Sequence, residues 1–272
     1  MTRVLLTNDD GFNAAGLDAS ISAMRSAGYD VVVVAPDGNR SAMGHRVTVR
    51  ETIELTHLSA EPGLDVWSCS GTPADCVRMA FFEETIGSLD LVVSGINHGV
   101  NLGEDVFYSG TFAAAAEAAF LGLPAMAASQ AGRHADPGFL SEHPEEFPHA
   151  EYLARAVDAM LTLGPNSGVV VNVNFPANAP HDEVRKSPLG SRDWTMSGIV
   201  SELTPTGIVV PTPWARDPLP TPSPGTDFDN VVHGYTAVTA LQVRCGLRED
   251  EAAWKRLVDA GFPLRLNLGA VS

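Results

Sequence analysis

The segment VLLTNDDGFNAAGL, residues Val4–Leu17, places two adjacent carboxylates directly behind a short apolar run and in front of a glycine. Val4–Thr7 predicts a buried strand, and Gly16–Ala27 carries apolar residues at the spacing of a helix. A strand followed at once by a helix is the typical start of an α/β unit. Because two neighbouring carboxylates repel each other and lose hydration at a buried strand end, Asp9 and Asp10 need a partner that offsets their charge.

The same alternation of strand and helix continues for about 175 residues, which favours a doubly wound, mostly parallel α/β sheet. Further strands are predicted at Val31–Ala35, Leu89–Ser94, Pro124–Ala128 and Val169–Val173. Helices are predicted from the cap Thr72 to about Ile86, at Gly110–Leu121 and at Glu146–Leu163. In such sheets ligands bind beyond the carboxyl ends of the strands.

The character of the chain changes after Pro176, where prolines and glycines become dense. Gly207–Val210 and Tyr235–Val243 remain prone to form strands, and Glu249–Ala260 has the pattern of a closing helix. We therefore expect one domain over residues 1–272. Its core covers about residues 1–175 plus 245–265, and an irregular hairpin extension covers about residues 176–244.

Composition excludes several classes of function. The formal net charge is −16, from 33 acidic and 17 basic residues, which disfavours binding of nucleic-acid polymers and anionic membranes. The sequence also lacks an apolar run of the ~20 residues that a membrane helix needs, and its start does not resemble a signal peptide. With only three cysteines, it predicts a cytoplasmic protein.

Residues with oxygen donors follow three of the predicted strands. Asp9 and Asp10 follow the first, Ser41 lies after the second, and Asn97 lies beyond Leu89–Ser94. Carboxylate, hydroxyl and amide oxygens suit one Mg²⁺ or Mn²⁺ and do not suit zinc.

A second feature, the turn Ser109-Gly110-Thr111, opens an alanine-rich helix, and the free amides of a helix N-terminus attract anions. Lysine occurs only at Lys186 and Lys255, so a metal ion, amides and hydroxyls are expected to offset the charge of a phosphate.

Four long blocks of the sequence resemble the successive signature blocks of the SurE family. These proteins are stationary-phase survival proteins that act as metal-dependent 5′/3′-nucleotidases and acid phosphatases. The blocks are LLTNDDGFNAAGL, VVAPDGNRSAMGH, SGTPADCV and DLVVSGINHGVNLGEDVFYSGT, and VNVNFP at Val171–Pro176 is a further match. They occur in the order of the family and cover roughly residues 1–130.

The resemblance implies a phosphomonoesterase that hydrolyses nucleoside 5′/3′-monophosphates. It implies a Rossmann-like core, one Mg²⁺ or Mn²⁺ (Ca²⁺ in a crystal) and a homodimer or homotetramer formed by hairpin exchange. The implied metal ligands are Asp9, Asp10, Ser41 and Asn97, with Asp9 and Asp10 also catalytic. The implied phosphate-binding residues are Asn8, Asn97, Asn101, Ser109, Gly110 and Thr111. We expect a metal-activated water to attack phosphorus directly, and Asp10 to orient it.

Two departures from the family pattern, at Arg185–Asp193 and at Ala240, concern substrate choice and subunit exchange. The sequence leaves open a SurE-like phosphatase for a specialised non-nucleotide or biosynthetic substrate, and a nucleotide-binding protein with little turnover. It also leaves open whether His45 or His98 takes part, and whether Phe107 and Tyr108 stack on a base or lie in the core.

Two other protein classes fit the sequence less well. A haloacid-dehalogenase-type phosphatase needs an aspartate nucleophile where this chain has Asn8. A receiver-like signalling domain needs a phosphoacceptor aspartate and a lysine at strand ends. This chain instead has Asn97, and no lysine precedes Lys186.

Overall fold

The computed structural model describes residues 1–132, 147–177, 183–191, 202–209, 222–244 and 248–262. A mixed sheet of ten strands forms the centre of the protein. Two further strands, β9 and β10, form a separate hairpin. In chain order the strands are β1 (Arg3–Thr7), β2 (Asp30–Pro36), β3 (Leu55–Glu61), β4 (Leu64–Cys69), β5 (Leu91–His98), β6 (Ala125–Gln130), β7 (Val169–Phe175), β8 (Val184–Lys186), β9 (Glu202–Thr204), β10 (Gly207–Val209), β11 (Thr236–Gln242) and β12 (Arg248–Glu249).

The main sheet has the strand order β12-β11-β7-β6-β5-β1-β2-β4-β3, and β8 also pairs with β11. The six strands from β4 to β7 in this order are parallel to one another. The connections run in opposite directions on the two sides of β1, because β2 lies on one side and β5 on the other. Ligands of doubly wound sheets bind at such a switch point, so the fold directs attention to the carboxyl ends of β1 and β5.

The helices cover both faces of the sheet. They are α1 (Ala15–Ser26), α2 (Pro73–Phe82), a 3₁₀ helix (Gly103–Phe107), α3 (Gly110–Phe120), α4 (Ala150–Leu161), α5 (Asp227–Val232) and α6 (Glu251–Asp259). Residues of α1, α4 and α6 share one apolar layer with Val4 and Leu6, whereas residues of α2 and α3 share the other with Leu5. Strands buried on both faces explain the continuous β-branched runs in the sequence.

The doubly wound, mostly parallel sheet predicted from the sequence is confirmed. So is the cap of α2, where the Thr72 hydroxyl accepts a hydrogen bond from the Asp75 amide. The helix ends earlier than predicted, at Phe82. Across the described ranges, no helix is both long and apolar enough to span a bilayer.

One segment of the predicted extension is part of the main sheet. Thr236–Gln242 forms β11 and pairs antiparallel with six of the seven residues of β7. Six of its seven residues are buried. The cause is that β7 would otherwise be an open apolar edge, and β11 covers it.

One part of the predicted extension does form a hairpin outside the main sheet. β9 and β10 pair antiparallel, with Gly207 opposite Thr204, and Leu203 is 85% exposed. Trp194, Trp214 and most of the proline-rich run at Val209–Gly225 lie outside the described residues.

Candidate functional site

The predicted site residues converge at the switch point of the sheet. Asp9 and Asp10 follow the end of β1, and Asn97 lies near the end of β5, the strand paired directly with β1. The loop after β2 approaches them as well, because the Arg40 amide donates a hydrogen bond of 2.7 Å to the Asp9 carbonyl oxygen. The three strand ends named by the sequence therefore meet at one place.

Asp9 is held by the N-terminus of α3. Its carboxylate oxygen Oδ1 accepts a 2.5 Å hydrogen bond from the Thr111 hydroxyl. Burial raises the pKa of Asp9, and the Thr111 hydroxyl and the amides of Gly110 and Thr111 oppose that rise. Asp9 is only 4% exposed. The helix end thus orients Asp9 and partly offsets the cost of burying a charge there.

Asp10 is held much less firmly than Asp9. Its Oδ2 accepts a hydrogen bond of 3.2 Å from the His98 amide. Burial, followed by the charge of Asp9, raises the pKa of Asp10 to about 7. In the bend that follows β1, the carboxylate of Asp9 meets the start of α3, whereas that of Asp10 meets the end of β5. A carboxylate with a pKa near neutrality is suited to exchanging protons.

Asn97 and Ser41, the two neutral metal ligands predicted, differ in burial. Asn97 is 8% exposed, and its amide nitrogen donates 2.9 Å to the Gly99 carbonyl oxygen. Ser41 is exposed, and its amide donates to Asn39 Oδ1. The next residue, Ala42, has a φ of 58°, which costs free energy for a residue other than glycine. A constrained backbone therefore follows Ser41.

The side chains of two residues predicted to bind phosphate make hydrogen bonds within the protein. Asn8 is fully buried, and its side chain exchanges two hydrogen bonds with the backbone of Gly11. Thr111, also fully buried, donates its hydroxyl proton to Asp9. A phosphate role does not fit Asn8, since its side chain closes the turn that carries Asp9 and Asp10. The position of Thr111 indicates that it orients Asp9.

Ser109 and Gly110 have distinct structural roles beside Asp9. The Ser109 hydroxyl caps α3 by accepting a hydrogen bond from the Phe112 amide. Gly110 lies so close to Asp9 that a Cβ atom there would be 2.7 Å from the Asp9 Cβ. Only glycine allows this approach of the helix to the carboxylate.

Asn101 belongs to a buried network of amide side chains that was not predicted from the sequence. Its amide donates to Asn174 Oδ1 at 2.8 Å, and its carbonyl oxygen accepts from the side chains of Asn172 and Asn174. Its Nδ2 donates to Ser129 Oγ. The segment VNVNFP could have indicated this network, because polar residues at every second position of a buried strand lie on one face of the sheet. The network fixes the loop between β5 and the 3₁₀ helix.

The two histidines beside the motifs lie in different surroundings. His45 Nε2 is 2.9 Å from Glu117 Oε2, and Arg78 binds the other oxygen of Glu117. Burial would raise the pKa of Glu117, but His45 and Arg78 hold it below its usual value. The His98 ring meets Phe147 edge-on. His45 is thus an anchor of the loop after β2, and His98 contributes its backbone amide to Asp10.

The donor set fits a hard divalent cation. Two carboxylates, an amide oxygen and a hydroxyl are the ligands that Mg²⁺ and Mn²⁺ favour. The raised pKa values of Asp9 and Asp10 show that the protein alone leaves the acidic pair undercompensated. A divalent cation, if bound between these ligands, would offset that imbalance.

Comparisons with known proteins identify the family of the chain. A model of the family described as "Survival protein SurE" matches residues 4–196. A protein named 5′-nucleotidase SurE from Aeromonas hydrophila is 38% identical over 271 residues, which covers 97% of this chain and 99% of the relative. One of the same name from Synechococcus sp. (strain CC9311) is 41% identical over 200 residues, covering 72% and 70%. The crystal structure of the SurE protein from Aquifex aeolicus matches with a TM-score of 0.68 at 31% identity, covering 96% of this chain and 98% of that one.

Proposed function

The chain belongs to the SurE family, and from that membership we propose that it hydrolyses nucleoside monophosphates to nucleoside and phosphate with one divalent metal ion. The observation that carries this proposal is the Asp9–Asp10 pair at the switch point of the sheet, in which Asp9 is buried and Asp10 is partly buried. The reaction class is hydrolysis of phosphoric monoesters, as the names of the relatives state for those proteins.

Asp9, Asp10, Ser41 and Asn97 would hold the cation. When bound, a divalent cation offsets charge on a phosphoryl oxygen and lowers the pKa of water at the site. Thr111 and the start of α3 fix the carboxylate of Asp9, so we assign Asp9 the role of a rigid ligand of the cation. Among the described residues, His98 gives Asp10 one hydrogen bond, which leaves Asp10 able to orient a water molecule and accept its proton.

We place the phosphate at the start of α3, next to Ser109 and Gly110, because this helix end lies directly against Asp9. The positive end of the helix dipole favours an anion there. We propose in-line attack by water without a covalent phosphoenzyme, because the carboxylates are positioned beside the site as proton acceptors and ligands.

Phosphate release from a panel of substrates tests the proposal. With Mn²⁺ or Mg²⁺ we expect turnover of purine and pyrimidine 5′- and 3′-monophosphates, and none in excess chelator. Turnover confined to a non-nucleotide phosphate would favour the specialised-phosphatase alternative. Tight nucleotide binding without release of phosphate would favour the binding protein. The similarity to proteins named 5′-nucleotidase favours neither alternative.

The metal-free protein should lose stability as the pH rises. The pKa of Asp10 is about 7 in the folded state against 3.8 in a free side chain, so the folded state binds the extra proton. Stability therefore falls between about pH 4 and pH 7 and stays low above that range. Asp10→Asn removes this loss and should raise Tm at pH 8 in chelator by roughly 5–10 °C, from about 2–4 kcal/mol.

Differential scanning calorimetry at pH 5 and pH 8 checks this expectation. Glu151→Gln, the same charge change on an exposed residue of α4, is the control and should leave Tm nearly unchanged. Equal Tm values for Asp10→Asn and the unmodified protein at pH 8 would show that the acidic pair is not undercompensated.

We also propose that the protein assembles as a homodimer or homotetramer by exchange of hairpins. Support comes from the β9–β10 hairpin, which lies outside the main sheet with Leu203 85% exposed. Static light scattering at micromolar concentration should give at least twice the mass of 28.7 kDa. A monomer with full activity would contradict the exchange.

A cytoplasmic location is supported by the two buried free cysteines, Cys69 and Cys76.

A further inference from the structure

Three exposed apolar side chains lie on two loops beside the site. Met43 is 38% exposed, Phe107 is 58% exposed and Tyr108 is 48% exposed. The loop of Met43 contacts the segment of Phe107 and Tyr108, because the Gly44 amide donates to the Tyr108 carbonyl oxygen at 2.9 Å. A Cβ on Gly44 would lie 3.1 Å from the Phe107 carbonyl oxygen, so the two loops touch. We call Met43, Phe107 and Tyr108 the aromatic rim.

The backbone beneath the aromatic rim is firmly held. At the start of the 3₁₀ helix, the Gly103 amide donates 2.8 Å to Asp227 Oδ2, and Asp227 is fully buried. Asp105 and Val106 are buried at 8% and 2% exposure. Because Asp105 and Val106 point inward, the two residues that follow are presented outward by a fixed backbone. Exposure of Phe107 is therefore a property of the fold and not of a loose loop.

Phe107 and Tyr108 lie close along the chain to the proposed phosphate-binding end of the site. Tyr108 directly precedes Ser109, the cap of α3, and Gly110 lies against Asp9. Phe107 is three residues from Gly110, so their Cα atoms are at most about 11 Å apart. The phosphate and base of a nucleoside monophosphate are separated by a distance within that reach.

We propose that Phe107, flanked by Tyr108 and Met43, is the platform on which the base of the nucleotide substrate stacks. This inference rests on the proposed nucleotidase function and adds the part of the site that recognises the base. Stacking uses the π face that every base has, so it tolerates both purines and pyrimidines. It also needs no cationic side chain, in keeping with a chain of net charge −16.

The test compares a nucleotide with a phosphate that has no ring. In Phe107→Ala we expect kcat/KM for AMP and CMP, divided by that for glycerol 2-phosphate, to fall about tenfold, mostly through KM. Phe107→Tyr should restore the ratio, since it keeps the aromatic face. Phe82→Ala is the matched control: Phe82 is 61% exposed at the far end of α2 and should leave the ratio unchanged.

Each other outcome overturns the inference in a recognisable way. An unchanged ratio in Phe107→Ala means that the base does not stack there. Equal loss on both substrates, with a smaller mass by light scattering, means that the aromatic rim is a contact between subunits. If the unmodified protein hydrolyses glycerol 2-phosphate but no nucleotide, the proposed function itself fails, whereas nucleotide turnover that is insensitive to Phe107 overturns the stacking platform alone.

Discussion

Asp9→Asn is expected to lower kcat by about a thousandfold at saturating Mn²⁺, which corresponds to about 4 kcal/mol of transition-state stabilisation. The substitution removes one of two charges that hold the cation. It preserves the shape of the side chain, and an amide oxygen still accepts the hydrogen bond from the Thr111 hydroxyl. The fold should therefore persist, and the metal-free variant should be at least as stable as the unmodified protein.

Two measurements separate loss of function from loss of structure in this variant. Phosphate release gives kcat, and the thermal transition in chelator gives stability. Asp158→Asn makes the same change on the exposed face of α4 and should leave both values near those of the unmodified protein. Unmodified turnover by Asp9→Asn at saturating metal would remove Asp9 from the catalytic site.

Gly110→Ala should cost about a hundredfold in kcat/KM although it alters no residue proposed to bind metal. A methyl group there would lie 2.7 Å from the Cβ and 2.8 Å from the Oδ2 of Asp9. Because Asp9 is buried, either its carboxylate or the start of α3 must move. A displacement of about 1 Å at a reacting centre has an effect of this size.

The metal dependence of this variant identifies the cause. If Asp9 is displaced, Gly110→Ala should need more Mn²⁺ for half-maximal activity. Gly38→Ala is the matched control, because a Cβ on Gly38 would meet only Arg40 Nη1, at 3.8 Å. Unmodified activity and metal requirement in Gly110→Ala would show that the close packing of α3 on Asp9 does not matter for function.

Much of the fold follows from local patterns in the sequence. Val31–Ala35 and Val169–Val173 read as buried strands because continuous β-branched runs suit a sheet covered on both faces. β3 and β4 gave no such signal. Six of the seven residues of β3 are exposed, so an edge strand of this kind lacks a hydrophobic pattern.

The position of β11 could not be read from the sequence either. Its strand character was clear, but its place beside β7 depends on pairing between segments distant along the chain. Proline-rich flanks made it appear part of the extension.

Some features of the site could also be predicted from the sequence, and others could not. That Asp9, Asp10 and Asn97 lie close together was predictable, because the carboxyl ends of adjacent parallel strands meet at one edge of the sheet. The role of Thr111 could not be predicted. Its hydrogen bond to Asp9 joins residues 102 positions apart and depends on where α3 begins relative to β1. Asn8 was assigned to phosphate by resemblance, but its burial and its bonds to Gly11 depend on the folded turn.

Calorimetric titration of the metal-free protein with Mn²⁺ tests the central claim most directly, that the acidic pair at the end of β1 is the metal site. The protein should bind one Mn²⁺ per chain with release of protons near pH 7, because the pKa of Asp10 lies at about that value. Binding should be clearly weaker in Asp9→Asn, so that saturation needs a much higher concentration of Mn²⁺. An Asp9→Asn variant that binds one Mn²⁺ with unchanged affinity would contradict the account.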